Sequence, residues 1–293
     1  MGAIIAIAGL ESSQAPYSRH RQSGVGLLGR QLRNLEQGSF MNICLRRPLE
    51  LLSCNRIIKR HLPADFRAVP ILVSPDASLG FWKPSLNCDL LDFAREFVQE
   101  GMVVWDVGAN VGMFTIAAAQ RAGHSGKVVA VEADMWLANL LRKSAASQPA
   151  SSARIQVLPV AVSDSMGIAS FNIANRSRAS NFLNVSTGST QTGGIRETVS
   201  VITVTLDWLL EQGGTAPHVL KIDVEGAEIH VLRGAGRVLA EAQPVVLCEV
   251  FDRSSDAATE MLLNHGYTLF DFQSKPRTQT KYACFNTLAI PRG

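Results

Sequence analysis

The feature that most constrains the fold of this chain is a run of strand-like and helix-like segments that alternate between residues 103 and 162. The strand-like segments are continuous Val- and Ile-rich runs, which are typical of strands buried on both faces of a parallel sheet. A helix-like segment follows each of the first two, so the chain is predicted to return to the sheet through covering helices. The predicted strands are residues 103–107, 127–132 and 155–162, and the predicted helices are residues 110–121 and 135–147.

The same alternation returns near the C-terminus. Strands are predicted at residues 219–224 and 244–250, and helices at residues 227–242 and 255–264. The last two predicted strands, 267–272 and 287–290, are joined without a helix and should therefore run antiparallel. The pattern predicts an α/β fold with a mostly parallel sheet, an antiparallel last strand and helices on both faces.

Other segments do not follow this alternation of strands and helices. Residues 169–173 and 198–204 predict a hairpin, and the polar segment 175–197 between them is long enough to predict a lid over a ligand site. Upstream, residues 68–83 predict another hairpin around a turn at Ser74–Asp76, and a helix is predicted at residues 89–100.

The first 62 residues differ in charge from the rest of the chain. They contain nine Lys and Arg against three Asp and Glu, whereas the remainder contains nineteen against twenty-two. Residues 42–62 show a helical pattern that Pro63 would end. The chain is predicted to consist of a basic, partly helical arm at 1–62 and a second domain at 63–293. The arm is either a solvated appendage or a surface for an acidic partner or membrane.

Composition limits the classes of protein. Apolar residues make up 46% of the chain, enough for a large buried core, and no apolar stretch approaches the length of a membrane span. The five cysteines are odd in number and include no Cys-x-x-Cys pair, so neither a disulfide framework nor a zinc site is predicted. We interpret the chain as a soluble cytoplasmic protein of undetermined oligomeric state.

The strongest local motif covers residues 103–112. A buried strand ends near Asp106, a tight turn contains Gly108, and a helix is predicted from Asn110, with Gly112 in its first turn. Such turns lie at the carboxyl ends of parallel strands, where open α/β sheets bind ligands. Free N–H groups at a helix start favour a polar or anionic ligand.

The identity of the ligand depends on the spacing of the glycines. A dinucleotide fingerprint requires Gly where this chain has Asn110, and a further Gly where it has Met113. A side chain at Asn110 would crowd a pyrophosphate, so the turn favours S-adenosylmethionine (SAM) over NAD. Asp106 would then hold the amino group of SAM, directly or through water.

Two further strands end in acids. Glu132 follows the strand 127–132 and can accept both hydroxyls of a ribose, in SAM or in NAD. In residues 219–228, Asp223, Glu225 and Glu228 crowd the end of another strand beside the predicted cofactor. Glu228 can alternatively serve only the first turn of its helix.

These motifs resemble those of the FkbM family of SAM-dependent methyltransferases. The resemblance covers roughly residues 70–293 and rests on DVGANVG, VVAVEAD, VAVSDSMG, TLDWLL, LKIDVEGAE and the terminal NTLAIPRG. It implies the class I methyltransferase Rossmann-like fold, with a mostly parallel seven-stranded sheet and an antiparallel last strand. It also implies methyl transfer, mostly to oxygen, on natural products or sugars.

The resemblance assigns roles to nine residues. Those matching the family's cofactor site are Asp106, Gly108, Asn110, Gly112, the ribose acid Glu132 and the adenine-edge residue Ala161. Asp223 and Glu225 match the acidic strand end that faces the substrate, and Glu249 is a candidate for the same pocket. Asp223 or Glu225 would deprotonate an acceptor hydroxyl, although a metal that lowers its pKa is an alternative.

The acceptor class stays open at this stage. A hydroxyl of a natural product, sugar or glycan is favoured, with possible peripheral membrane contact through the basic arm. A nucleic-acid acceptor, with the arm holding phosphates, is a less favoured alternative. A non-catalytic SAM-binding protein and an NAD-dependent oxidoreductase are further alternatives.

Overall fold

The computed structural model of the protein describes residues 48–84, 86, 88–184, 192–213 and 215–292. Leu52–Gly293 make up one compact unit, and the fold described below belongs to it. Most of the predicted basic arm lies outside the described residues. In the part of the chain that is described, no helix is both long and apolar enough to cross a bilayer.

The unit contains strands, α-helices, short 3₁₀ turns and a π-helical turn at Val238–Ala242, which is separate from α5 although one helix is predicted over 227–242. The strands are β1 (Ile58–His61), β2 (Pro70–Val73), β3 (Val103–Val107), β4 (Lys127–Val131), β5 (Arg154–Leu158), β6 (Ala161–Val162), β7 (Gly167–Ala174), β8 (Phe182–Leu183), β9 (Ile195–Val204), β10 (Val219–Ile222), β11 (Val245–Glu249), β12 (Tyr267–Asp271), β13 (Thr278–Thr280) and β14 (Asn286–Pro291). The helices are α1 (Asp89–Phe97), α2 (Met113–Ala122), α3 (Met135–Ala146), α4 (Leu206–Gly213), α5 (Glu228–Arg233) and α6 (Ser255–Asn264).

The central sheet has the order β13-β12-β14-β11-β10-β3-β4-β5. The five strands from β11 to β5 are parallel, and β14 pairs antiparallel with both β11 and β12. The predicted α/β class, parallel sheet and antiparallel last strand are therefore confirmed. Eight strands, rather than the expected seven, form this sheet in the described chain, because β13 adds three residues at the β12 edge.

Two hydrophobic cores cover the faces of this sheet. Side chains of β3 alternate between them: Val104 packs into one core, and Trp105 and Val107 pack into the other. The first core contains the apolar faces of α1, α2 and α3, and the second contains those of α4, α5 and α6. Burial on both sides explains why the strands are continuous Val- and Ile-rich runs.

A smaller sheet lies at the end of the alternating region, with the order β6-β9-β7-β8. The predicted hairpin is present, because β7 and β9 pair antiparallel over most of their length. The strand predicted at 155–162 is divided, since β5 stays in the central sheet and β6 pairs with β9. Phe171, Ile173 and Leu183 form the core of the smaller sheet with Ala161 and Val201.

The structure corrects two predictions near the start of the unit. Residues 58–61 form β1, so the helix predicted to reach residue 62 is wrong there, and β1 pairs antiparallel with β2. The hairpin predicted within 68–83 is also wrong, because Leu79–Trp82 form a 3₁₀ turn capped by Ser78. The guanidinium of Arg60 donates to the carbonyls of Phe81 and Trp82, which holds this turn against β1.

Candidate active site

A cavity of about 260 Å³ opens at the carboxyl ends of β3, β4, β10 and β11. Seven of the nine predicted site residues line it: Gly108, Asn110, Glu132, Ala161, Asp223, Glu225 and Glu249. Residues that end separate strands thus meet at one edge of the sheet, as the parallel topology requires.

The turn after β3 is fixed by its neighbours on both sides. The amides of Gly108 and Ala109 both donate to the carbonyl of Val131 at 3.0 Å. Gly108 has φ +73°, and a Cβ atom there would lie 1.7 Å from the carbonyl oxygen of Asp223. The backbone at the end of β10, the neighbouring strand in the sheet, therefore requires glycine at position 108 whether or not a ligand is bound.

Asn110 and Glu132 are joined by a hydrogen bond. The Asn110 amide donates to Glu132 Oε2 at 2.7 Å, and the Asp134 amide donates to Oε1 at 2.8 Å. Asn110 adopts a left-handed conformation with φ +52°, and its own Oδ1 accepts from the Val111 amide. Burial raises the pKa of Glu132 to about 7 despite these amide donors.

Asp106 and Gly112, the other two predicted site residues, do not line the cavity. Asp106 is fully buried, where it accepts from Thr115 Oγ1 and lies 3.3 Å from Lys221 Nζ. A Cβ atom on Gly112 would lie 2.1 Å from Leu141 Cδ1 of α3, so this glycine admits a packed helix. Both residues shape the turn from behind, and direct contact with a ligand stays a prediction.

The opposite side of the cavity is acidic. Burial and the neighbouring charges of Asp223 and Glu249 raise the pKa of Glu225 to about 8. The pKa of Glu249 is also raised to about 8, by burial and by Asp223. Like charges so close together cannot all ionise in a low-dielectric site, so protons are retained on this group at neutral pH.

Glu228 belongs to the same acidic group but does not line the cavity. Its side chain is fully buried, and its Oε1 accepts from the Gly226 amide at 2.8 Å. Burial raises its pKa. Glu228 lies in the first turn of α5, as the alternative interpretation of the sequence has it, and its contact is with the backbone just before the helix.

The smaller sheet supplies a wall of the cavity that sequence reasoning missed. Arg178 lines the cavity, and its guanidinium donates to Asp76 Oδ2 at 3.1 Å and to Asp134 Oδ2 at 2.6 Å. Asn181 also lines the cavity and donates to the same Asp134 oxygen at 2.9 Å. Arg196 donates to both Asp76 oxygens. These pairs join three distant chain segments, so no local motif could have indicated them.

The residues of this wall belong to the segment that was predicted as a lid. The amides of Arg178 and Ala179 donate to the carbonyls of Asp76 and Ala77, and the Arg178 guanidinium lies 4.9 Å from the ring of Trp136. Residues 176–184 of the predicted lid segment are therefore tied to neighbouring loops. Residues 185–191 lie outside the described part of the chain.

Histidines and metal clusters contribute little to the site. His218 accepts from the Val103 amide at 3.0 Å, at the amino end of the sheet and away from the cavity. His230 pairs with Asp164 at 2.7 Å and does not line the cavity. Across the residues described, no group of three or more His, Cys, Asp or Glu side chains is arranged to hold a metal ion.

Comparison with known families identifies this arrangement. The Methyltransferase FkbM domain matches residues 106–269. This range contains the cofactor turn, the acids at the strand ends (Glu132, Asp223 and Glu249) and the smaller sheet. The chain belongs to the FkbM methyltransferase family. The resemblance found in the sequence is thereby confirmed, and the methyl donor of this methyltransferase is SAM.

Three solved structures illustrate the range of similar folds. The methyltransferase FkbM from Methylobacillus flagellatus KT is 16% identical, with a TM-score of 0.41, and the match covers 85% of this chain and 58% of that one. The precorrin-6y C5,15-methyltransferase from Geobacter metallireducens GS-15 is 16% identical, with a TM-score of 0.39 and coverage of 69% and 85%. The putative rRNA-methylase from Clostridium thermocellum is 11% identical, with a TM-score of 0.39 and coverage of 71% and 99%. A search of curated proteins found no match.

The residues of the cavity fit SAM chemically. Glu132 offers a buried carboxylate for ribose hydroxyls, and small apolar side chains line the cavity beside it at Ala133, Val160 and Ala161. An apolar surface of this kind suits the faces of an adenine ring. The acidic side at Asp223 suits the positive charge that SAM carries on its sulfonium and amino groups.

Proposed function

We propose that this methyltransferase transfers the methyl group of SAM to a hydroxyl of a small molecule, sugar or glycan. The observation that carries the proposal is that the same cavity has Glu132 on one side and Asp223, Glu225 and Glu249 on the other. One side suits a nucleoside, and the other provides carboxylates that can orient and deprotonate a hydroxyl.

Four residues are proposed to hold the cofactor within the cavity. Glu132 accepts hydrogen bonds from the ribose, and Ala161 contacts the adenine edge. Gly108 and Asn110 form the turn that follows the methionine part of SAM. Asp106 and Gly112 support this turn from behind through Thr115 and α3.

The proposed reaction is a direct displacement in which this chain provides alignment and a proton acceptor. SAM supplies a methyl group that is already activated by the sulfonium charge. Asp223, which is 30% exposed at its side chain and faces the cavity, accepts the hydroxyl proton. Alignment of the reactants can contribute about 7–11 kcal/mol, and a positioned base adds about 10²–10⁴-fold.

Glu225 and Glu249 are proposed to assist as hydrogen-bond donors. With pKa values raised to about 8, both carry protons for most of the time at neutral pH. A protonated carboxyl can donate to an acceptor oxygen, whereas an ionised one cannot. This division of roles differs from the sequence prediction, in which Glu225 was a second candidate base.

An RNA acceptor remains the alternative proposal, as does a non-catalytic SAM-binding role. The acidic side of the cavity opposes a phosphate backbone, which supports a small neutral or cationic acceptor. The proposed organisation is a basic arm within residues 1–62, available for peripheral membrane contact, and a catalytic domain at residues 63–293 to which the end of the arm adds β1. The proposed location is the cytoplasm.

The test begins with calorimetric titration of the full chain with S-adenosylhomocysteine (SAH) and with NAD. We expect SAH to bind and NAD not to bind. Radiolabelled SAM is then incubated with panels of hydroxylated sugars, glycans, natural products and RNA. Label transferred to a hydroxyl of a small acceptor supports the proposal, and label transferred only to RNA contradicts it.

A further inference from the structure

Lys221 is a buried lysine at the carboxyl edge of the central sheet. It lies on β10 directly opposite Asp106 of β3 in the parallel register, and only 4% of its side chain is exposed. A buried ammonium is strongly disfavoured unless oxygen partners replace its water, so its contacts indicate its role.

Three oxygen atoms surround the ammonium group. Lys221 Nζ donates to the carbonyl oxygen of Gly108 at 2.6 Å. It lies 3.3 Å from Asp106 Oδ1 and 3.3 Å from Asp223 Oδ2. The Gly108 carbonyl accepts a hydrogen bond from the ammonium, and the two carboxylates are its ion-pair partners.

Each contact reaches a different part of the site. Gly108 belongs to the cofactor turn, Asp106 is buried behind that turn, and Asp223 faces the cavity on its acidic side. A lysine that only neutralised Asp106 would not need the other two partners. One side chain therefore connects the cofactor turn to the carboxylate that faces the acceptor.

Several acids surround this lysine from all of the elements packed against it. They are Asp106 on β3, Glu132 after β4, Asp223 after β10, Glu225 in the following loop and Glu249 on β11. Lys221 lowers the pKa values of Glu225 and Glu249, opposing the stronger effects of burial and of Asp223. The ammonium thus limits how far protons accumulate on the acidic side.

We propose that Lys221 is a positioning residue that fixes the Gly108 carbonyl of the cofactor turn and holds the Asp223 carboxylate toward the acceptor. The role of Asp223 in this statement rests on the proposed function above. The hydrogen bond from Lys221 to the Gly108 carbonyl does not rest on that function, because the family match and the backbone geometry define the cofactor turn.

The main test compares Lys221→Met with the wild-type chain. Methionine keeps most of the length of the side chain and removes the ammonium. We expect SAH affinity, measured by calorimetry, to fall at least about tenfold because the Gly108 turn loses its donor. We also expect the infrared titration midpoints of the Glu225 and Glu249 carboxyl bands in the cofactor-free protein to move to higher pH, because the ammonium lowers both pKa values. Glu225→Gln and Glu249→Gln assign those bands.

Two further variants separate positioning from folding. Asp106→Asn combined with Lys221→Met replaces the buried pair by neutral groups, and such replacements often preserve stability. This double variant should melt as a folded protein and still show both changes. Lys221→Arg restores the charge with a different shape, so it should recover the carboxyl titration more fully than SAH affinity. Lys127→Met, at the amino end of β4, is the control and should show neither change.

The outcomes can be told apart. A folded double variant with wild-type SAH affinity and unchanged carboxyl bands would overturn the proposal and leave Lys221 as a partner of Asp106 alone. If the double variant does not fold, Lys221→Arg with wild-type SAH affinity would overturn it equally. If wild-type protein does not bind SAH, the proposed function fails. The infrared titration then still decides whether Lys221 controls the acidic side.

Discussion

Replacement of Glu249 by Gln should stabilise the free protein in mildly alkaline solution. Glu249 ends β11 beside Glu225 and Asp223, and its pKa is raised from 4.5 to about 8. In the unfolded chain the same carboxyl ionises near 4.5, so the folded state holds an extra proton between these two values. The contribution of Glu249 to the free energy of unfolding is therefore fully present below pH 4.5 and is lost progressively as the pH rises to about 8.

The size of this effect follows from the pKa difference. A rise from 4.5 to about 8 corresponds to about 5 kcal/mol if the full shift applies. The cavity is open to solvent, and Glu249 shares its protons with Glu225, so we expect about 2–3 kcal/mol in practice. Glutamine has nearly the same shape and stays neutral, so the variant avoids this loss.

The assay is urea denaturation of wild type and Glu249→Gln at pH 5.5 and pH 8.5. We expect the free energy of unfolding of the variant to fall less between these two conditions, by about 2–3 kcal/mol. Glu260→Gln, on the exposed side of α6, is the matched control and should follow the wild type. Equal pH dependence in wild type and Glu249→Gln would refute the reasoning, because it would mean that Glu249 is ionised without cost.

Four further outcomes are expected. Gly108→Val should abolish SAH binding in calorimetry, because its Cβ would overlap the Asp223 carbonyl. Asp223→Asn should lower kcat about 10²-fold or more with little change in SAH affinity, and a parallel loss of affinity would make Asp223 a cofactor ligand. Asp76→Asn should speed hydrogen exchange in residues 176–184, which unchanged exchange would contradict. A chain beginning at Leu52 should bind SAH, whereas one beginning at Pro63 lacks β1 and should melt at a lower temperature.

The central sheet and its ligand edge could be predicted from sequence because their signals are local. Strands buried on both faces require continuous apolar runs, as in β3 and β10, and helices between them require parallel pairing. The turn at Gly108 and the acids at Glu132, Asp223 and Glu249 all end such strands. Parallel topology then brings their side chains to one edge, where the structure shows them lining one cavity.

Local signals misled where a segment's pairing partner was not recognised as a strand. Residues 58–61 carry apolar and basic side chains that suit a helix, yet they form β1 because β2 offers an open edge. The lid predicted after β7 stays a prediction. The partners of Arg178 within it, Asp76 and Asp134, are 102 and 44 residues away in the chain, so the sequence could not indicate them.

The sequence by itself therefore determined the fold class, the family and the residues at the carboxyl edge of the sheet, since each depends on short-range periodicity and on motifs within one turn. Only the tertiary structure decided that Asp106 lies behind the cofactor turn, that Glu225 and Glu249 retain protons, and that Lys221 joins Gly108 to Asp223. Those properties depend on burial and on distances of a few ångströms between separate strands, and the electrostatic energy of a buried charge is set by such distances rather than by sequence spacing.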